Sequence, residues 1–201
     1  CNYPMTYVPD DNFEQELIYL GIDTDSILND SVATNQIMYL TSLDVSFKYI
    51  SDLTGIEDFT NLTNLYCNNN QLTSLDVSAN TALTVLYCYN NQLTSLDVSA
   101  NTTLNYLSCN SNQLTSLDLR NGNNWNMYNP NFTSNYNLYC IDVDSAAYST
   151  ANWTNVDSWA SFSNDCQSEI FGCMDSTISN YNPLATLNDW TCDYGMTYVP
   201  D

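Results

Sequence analysis

Leu62-Thr63-Asn64-Leu65-Tyr66-Cys67-Asn68-Asn69-Asn70-Gln71-Leu72-Thr73-Ser74-Leu75-Asp76-Val77 is followed by two gapless variants of itself, starting at Leu83 and Leu104, with a step of 21 residues. Leucines recur at 62/83/104, 65/86/107, 72/93/114 and 75/96/117, cysteines at 67/88/109 and asparagines at 70/91/112. A fixed period of this length predicts a coil in which each turn stacks its leucines on those of the turn before. No single turn can bury its apolar side alone, so stability is shared between neighbours. The short amide of the asparagine column suits bonding to backbone groups where the coil turns and the ladder stops.

Each turn divides again. Leu62-Thr63-Asn64-Leu65-Tyr66-Cys67 and Leu72-Thr73-Ser74-Leu75-Asp76-Val77 both read L-x-x-L-x-apolar. The phrase Leu-Thr-Ser-Leu-Asp-Val also opens at Leu40, which places Leu43, Val45, Ile50, Leu53, Ile56 and Phe59 in the same coil. Both faces are therefore expected to be extended, rather than strand on one side and helix on the other. The expected fold class is a leucine-rich-repeat solenoid, mostly parallel β, with turns of 21–22 residues. The half-repeats resemble short bacterial leucine-rich repeats, and Ile50-Ser51-Asp52-Leu53-Thr54-Gly55-Ile56-Glu57-Asp58-Phe59 resembles the internalin-type variant. The resemblance covers residues 37–124 and specifies a fold, not a ligand.

The chain also matches itself over a longer distance. Residues 1–10 and 192–201 agree at eight of ten positions, an offset of 191 residues. The simplest expectation is one period of a tandem array, built for length.

Composition narrows the function. The formal net charge is −21, with Lys48 and Arg120 as the only basic side chains among 201 residues, and there is no histidine. Nucleic acid and anionic membrane surfaces are disfavoured, because both require Lys and Arg. The absence of histidine removes the common nucleophile–base pairings and most zinc sites. No carboxylate pair stands out from the acidic background, so the expectation is that the chain is not an enzyme. No apolar run approaches the roughly 20 residues of a membrane-spanning helix.

The eight cysteines separate into two kinds. Cys67, Cys88 and Cys109 fall at an inward consensus position, about 4.8 Å apart in stacked turns, and read as reduced, buried thiols. Three in a straight column cannot all pair, and a metal-binding thiolate set would have to converge. Cys140 and Cys166 bracket a segment holding Trp153, Trp159 and Phe162, and read as a disulfide closing a C-terminal cap. Cys173 and Cys192 read as a second bridge. Cys1 matches Cys192 in the long repeat, so its expected partner is the Cys173 equivalent of a preceding unit. Such bridges imply an oxidising, extracytoplasmic compartment.

At the N-terminal end, Phe13, Leu17 and Leu20 after Asp10 or Asp11, with Gly21 following, predict a short amphipathic helix that closes the coil. At the other end, Gly172-Cys173-Met174-Asp175, then Asn180-Tyr181-Asn182-Pro183-Leu184-Ala185, then Cys192 is similar to G-C-x-D…N-Y-x-P-x-A…C repeats of secreted Bacteroidota proteins. Trp190-Thr191 here replaces the family's Gly-Ser, and Ile178-Ser179 replaces its Ala-x. This resemblance implies export and a place on the cell surface. The expected organisation is the end of a preceding linker (1–4), an N-terminal helical cap (5–36), the solenoid (37–139), a C-terminal cap (140–168), a cysteine-closed linker (169–194) and the start of the next unit (195–201).

Three kinds of site remain open. Asp76, Asp97 and Asp118 share one outward position, either as a carboxylate column for Ca2+ or as a solvated face bonded to nearby hydroxyls. Asp23 and Asp25 form a second Ca2+ candidate. Tyr66, Tyr87, Tyr89, Tyr106, Asn64 and Asn68 make a candidate binding face for a protein or glycan. Ser26, Ser31, Ser145 and Ser176 follow aspartate in triplets that resemble the Bacteroidota O-glycosylation signal. No cofactor other than Ca2+ is implied. Two functions fit: a structural unit of an extracellular fibre, with neighbouring copies as partners, or a surface adhesin module.

Overall fold

The computed structural model describes residues 4–188 and 191–194. In chain order the regular elements are β1 (Met5–Tyr7), α1 (Asp11–Tyr19), β2 (Ser31–Ala33), α2 (Thr34–Ile37), β3 (Ser42–Asp44), β4 (Asn64–Tyr66), β5 (Val85–Tyr87), β6 (Ser95–Asp97), β7 (Tyr106–Ser108), β8 (Ser116–Asp118), β9 (Cys140–Asp142), α3 (Ala146–Asn152), β10 (Ser161–Ser163), β11 (Phe171–Gly172) and β12 (Leu187–Asn188).

The repeat writes two parallel sheets, one from each half of the turn. One runs β3-β4-β5-β7, the other β10-β9-β8-β6. In the first, Leu43, Leu65, Leu86 and Leu107 are in register. In the second, Leu96 opposes Leu117. Each strand is three residues long with its leucine inward, so the sheet is held by stacking between turns rather than by strand length. Inward leucines from both sheets join one hydrophobic cluster with Val77, Val98 and Leu119.

Just past each strand of the first sheet, the chain turns inward at Cys67, Cys88 and Cys109. Their N–H groups donate to Tyr87, Ser108 and Asn131 one turn on, at 2.9, 2.9 and 3.0 Å. Asn69, Asn90 and Ser111 then take φ of +56°, +53° and +56°, a left-handed conformation that asparagine tolerates better than most residues. Asn70, Asn91 and Asn112 follow and bond the carbonyls that the ladder leaves over.

The expected helix forms as α1. Asp10 Oδ1 accepts from the N–H of Asn12 and Phe13, both at 3.0 Å, and Gly21 turns the chain at φ +70°. Phe13 and Leu17 are buried, with Phe13 stacked on Phe59 at 6.2 Å. Leu20, expected on the same apolar stripe, is exposed because the helix ends at Tyr19; Ile22 packs on the core instead. Gly55 is required by its surroundings: at φ +103° an added Cβ would lie 2.6 Å from the Tyr7 carbonyl oxygen.

Past the last full repeat, Phe132, Trp153 and Phe162 pack edge to face at 5.6–6.3 Å. Cys140 and Cys166 form a disulfide there, and Cys173 and Cys192 form another across the β11–β12 segment. Cys1 lies outside the described residues.

Candidate functional site

Side chains alternate along a strand, so the residues flanking each inward leucine of the first sheet face outward. Register places Asn64, Val85 and Tyr106 in one row and Tyr66, Tyr87 and Ser108 in the next. The Tyr66 and Tyr87 rings meet edge-on at 5.4 Å, and Tyr87 lies 6.3 Å from Tyr89. Tyr106 lies 5.8 Å from Tyr128. Asn64 Oδ1 accepts from the Thr84 hydroxyl at 3.3 Å. Asn68 is not part of this surface: it is 5% exposed, because it follows the inward Cys67 where the strand has already ended.

Between these rings lies a shallow pocket of about 220 Å³, lined by Tyr87, Tyr89, Tyr106 and Tyr128 with Asn129, Asn131 and Asn155. None of its lining residues carries a charged side chain. In a chain of formal charge −21 this is a marked exclusion. Between Asp58 and Asp157 the acids are Asp76, Asp97, Asp118, Asp142 and Asp144, all in the other half of the turn or beyond the last repeat. Tyr128 escapes a repeat-based reading because it lies after the last copy. It joins the face because its N–H donates to the Asn105 carbonyl at 2.7 Å.

The acidic column differs from expectation. Asp97 opposes Asp118 and Asp118 opposes Asp142, but Asp76 lies outside any strand. Each carboxylate is already engaged two residues on. Asp76, Asp97 and Asp118 accept the N–H of Ser78, Ser99 and Arg120 at 2.9, 2.8 and 3.0 Å. Arg120 then spans two acids, with Nε donating to Asp118 Oδ1 at 3.0 Å and Nη1 lying 3.6 Å from Asp142 Oδ1. Burial raises the Asp118 carboxyl, but the Arg120 side chain and N–H outweigh it, leaving it below its ordinary value. The Ser78 hydroxyl and N–H lower Asp76. Asp142 was not legible as part of the column, since its spacing from Asp118 departs from the 21-residue step.

Asp23 is 2% exposed, and Asp25 Oδ2 accepts from the Asn29 side chain at 3.0 Å. Among the serines, Ser26 is exposed, Ser31 lies in β2 and bonds Asn29, Ser145 accepts the Tyr148 N–H at the start of α3, and Ser176 is exposed.

Cys67, Cys88 and Cys109 are fully buried free thiols, one per turn. Burial pushes Cys88 up to about 12 and the other two well above the ordinary thiol range. Protonated thiols in a straight column are packing groups, not ligands.

That column of cysteines in stacked turns has a counterpart among known proteins. The chain has internalin-like leucine-rich-repeat homologues. It is 44% identical over 75 residues to Internalin J of Listeria monocytogenes, a match covering 37% of this chain and 8% of that protein. The solved functional domain of InlJ from L. monocytogenes, reported to include a cysteine ladder, superposes with a TM-score of 0.56 at 30% identity, over 71% of this chain and 39% of that one. The internalin InlF of the same species gives a TM-score of 0.56 at 25% identity, over 75% and 48%. The chain thus spans less than half the length of each. No protein-family model matches it.

Among the described residues no helix is long and apolar enough to cross a membrane.

Proposed function

We propose that this chain is a stiff repeat module of an extracellular surface protein, with the uncharged tyrosine–asparagine face of its first sheet as an adhesive surface for a protein or glycan ligand. The observation that carries this reading is the segregation of charge. Nearly all of the chain is acidic, yet the four-tyrosine pocket has no charged lining. Tyrosine supplies rigid contact area at low entropic cost, and asparagine supplies adaptable hydrogen bonds. Two disulfides support an oxidising compartment.

In the same reading, the stack of turns is a closed solenoid. Residues 5–36 cover its N-terminal end, residues 140–168 its C-terminal end, and residues 169–194 join one unit to the next at the 191-residue period. Fibre and adhesin are then one design: stacked turns give reach, and the sheet face gives contact.

The test is adhesion of labelled module to fixed cells, comparing the parent with Tyr87→Ser/Tyr106→Ser. Tyr39→Ser, which alters an exposed ring elsewhere, serves as control. The double variant should lose most binding with little change in unfolding midpoint. Because the face is uncharged, parent binding should persist at high ionic strength. Unchanged adhesion by the double variant, or adhesion abolished by salt, overturns the assignment.

A further inference from the structure

Seven carboxylates (Asp10, Asp11, Glu14, Glu16, Asp23, Asp25 and Asp30) precede the first basic residue, Lys48. Two of the seven have clear counter-partners. Lys48 Nζ lies 2.8 Å from Glu16, and Asp10 is surrounded by N–H and hydroxyl donors. The others gather where α1 meets the 23–30 loop.

Glu14 is fully buried there and accepts the N–H groups of Asn29, Asp30 and Ser31 at 3.0–3.2 Å. Three donors on a carboxylate with about four lone-pair sites leave it one direction free. One oxygen each from Asp11, Glu14 and Asp30 lie within 4.8 Å of one another. Independently, Asp23 is 2% exposed, and its Oδ2 is buried with no hydrogen-bond partner. The charges facing that carboxyl are Asp25 and Glu14, both of the same sign. A buried, unpartnered anionic oxygen aimed at further carboxylates is the costliest arrangement available to this loop unless a cation joins it.

We propose that this seam binds one divalent cation of the Ca2+ class, with Glu14 and the free oxygen of Asp23 as inner ligands and Asp11, Asp25 and Asp30 as the surrounding carboxylates. The donors are all oxygens, without histidine or thiolate, which selects a hard cation over zinc. The site lies in the N-terminal segment, so it stands or falls separately from the adhesive face. Bound cation would pin the 23–30 loop to α1 and make the stability of this segment depend on extracellular Ca2+.

The test is calorimetric titration of the intact chain with CaCl2, and separately MgCl2, at constant ionic strength, with unfolding midpoints read in parallel. Saturable binding of one Ca2+, in the ~10⁻⁴ to 10⁻³ M range typical of extracellular modules, with a raised midpoint, is expected. Asp23→Asn should weaken it at least tenfold while leaving the apo chain folded, since the amide oxygen still accepts the Asp25 N–H. Asp30→Asn provides a second variant on the other side of Glu14, and Asp97→Asn on the far sheet should bind as the parent does. No saturable heat, parent-like affinity in Asp23→Asn, or an equal midpoint rise from KCl overturns the site. So does a parent that binds no Ca2+ while Asp23→Asn is more stable, which would mean that Asp23 is simply protonated.

Discussion

Asn91 ties its own turn to the one before: its Nδ2 donates to the Cys67 carbonyl at 3.0 Å, while also reaching the Cys88 carbonyl at 3.1 Å and accepting the Leu72 N–H at 3.0 Å through Oδ1. Asn112 repeats the arrangement 21 residues on, with Leu93, Cys88 and Cys109. The side chain therefore replaces three backbone partners that the end of the strand leaves without a ladder.

Removing it should be costly, because the partners stay buried. Asn91→Ala strands one N–H and two carbonyls that water does not reach. Each such group costs about 1–3 kcal/mol, and partial relaxation brings the expected total to about 3–4 kcal/mol. Urea unfolding measures this directly. A loss under about 1 kcal/mol would mean that the turns do not depend on this amide.

The cysteine column makes a chemical prediction. In native protein at pH 8, Cys67, Cys88 and Cys109 should resist alkylation, because burial holds all three thiols protonated, Cys88 up to about 12. In denaturant all three should react. Site-resolved mass spectrometry after iodoacetamide distinguishes the two states. Rapid native labelling at Cys88 would show that the column is open to solvent.

How far the sequence foretold all this depends on whether a feature was copied. Leu43, Leu65, Leu86 and Leu107 could be read as one column because stacking converts a sequence period into a spatial register. A second asparagine column, Asn80 and Asn101, has the same period and bonds Ile56, Phe59, Val77 and Asn80 carbonyls. It went unread because it sits in what looks like a polar turn. Tyr128 and Asp142 lie beyond the last copy, and only register with Tyr106 and Asp118 brings them to the face and the acidic column. Asn68 failed for the opposite reason. It lies in a repeat, but one residue past the inward cysteine, where alternation no longer applies.

Asp10 joins the N-terminal helix to the first turn of the repeats, and its ionisation should be visible in stability. Oδ1 accepts from Asn12 and Phe13, while Oδ2 accepts the Ser51 N–H and hydroxyl at 2.8 and 2.7 Å and the Asp52 N–H at 3.1 Å. Burial raises this carboxyl, but the donors from Ser51, Phe13 and Asp52 outweigh it, and its net value falls below the ordinary 3.8. As pH falls, the unfolded chain therefore takes up this proton first. The contribution is complete above 3.8 and drains away as pH drops through the lower folded value. Asp10→Asn turns an NH2 toward donors that need an acceptor, and should cost about 2–3 kcal/mol at pH 7. The gap between parent and variant should narrow at pH 3, because the parent loses its charge there and the variant has none to lose. Denaturant titrations of both proteins at the two pH values provide the measurement. A gap that is the same at both would place the role of Asp10 in packing rather than in charge.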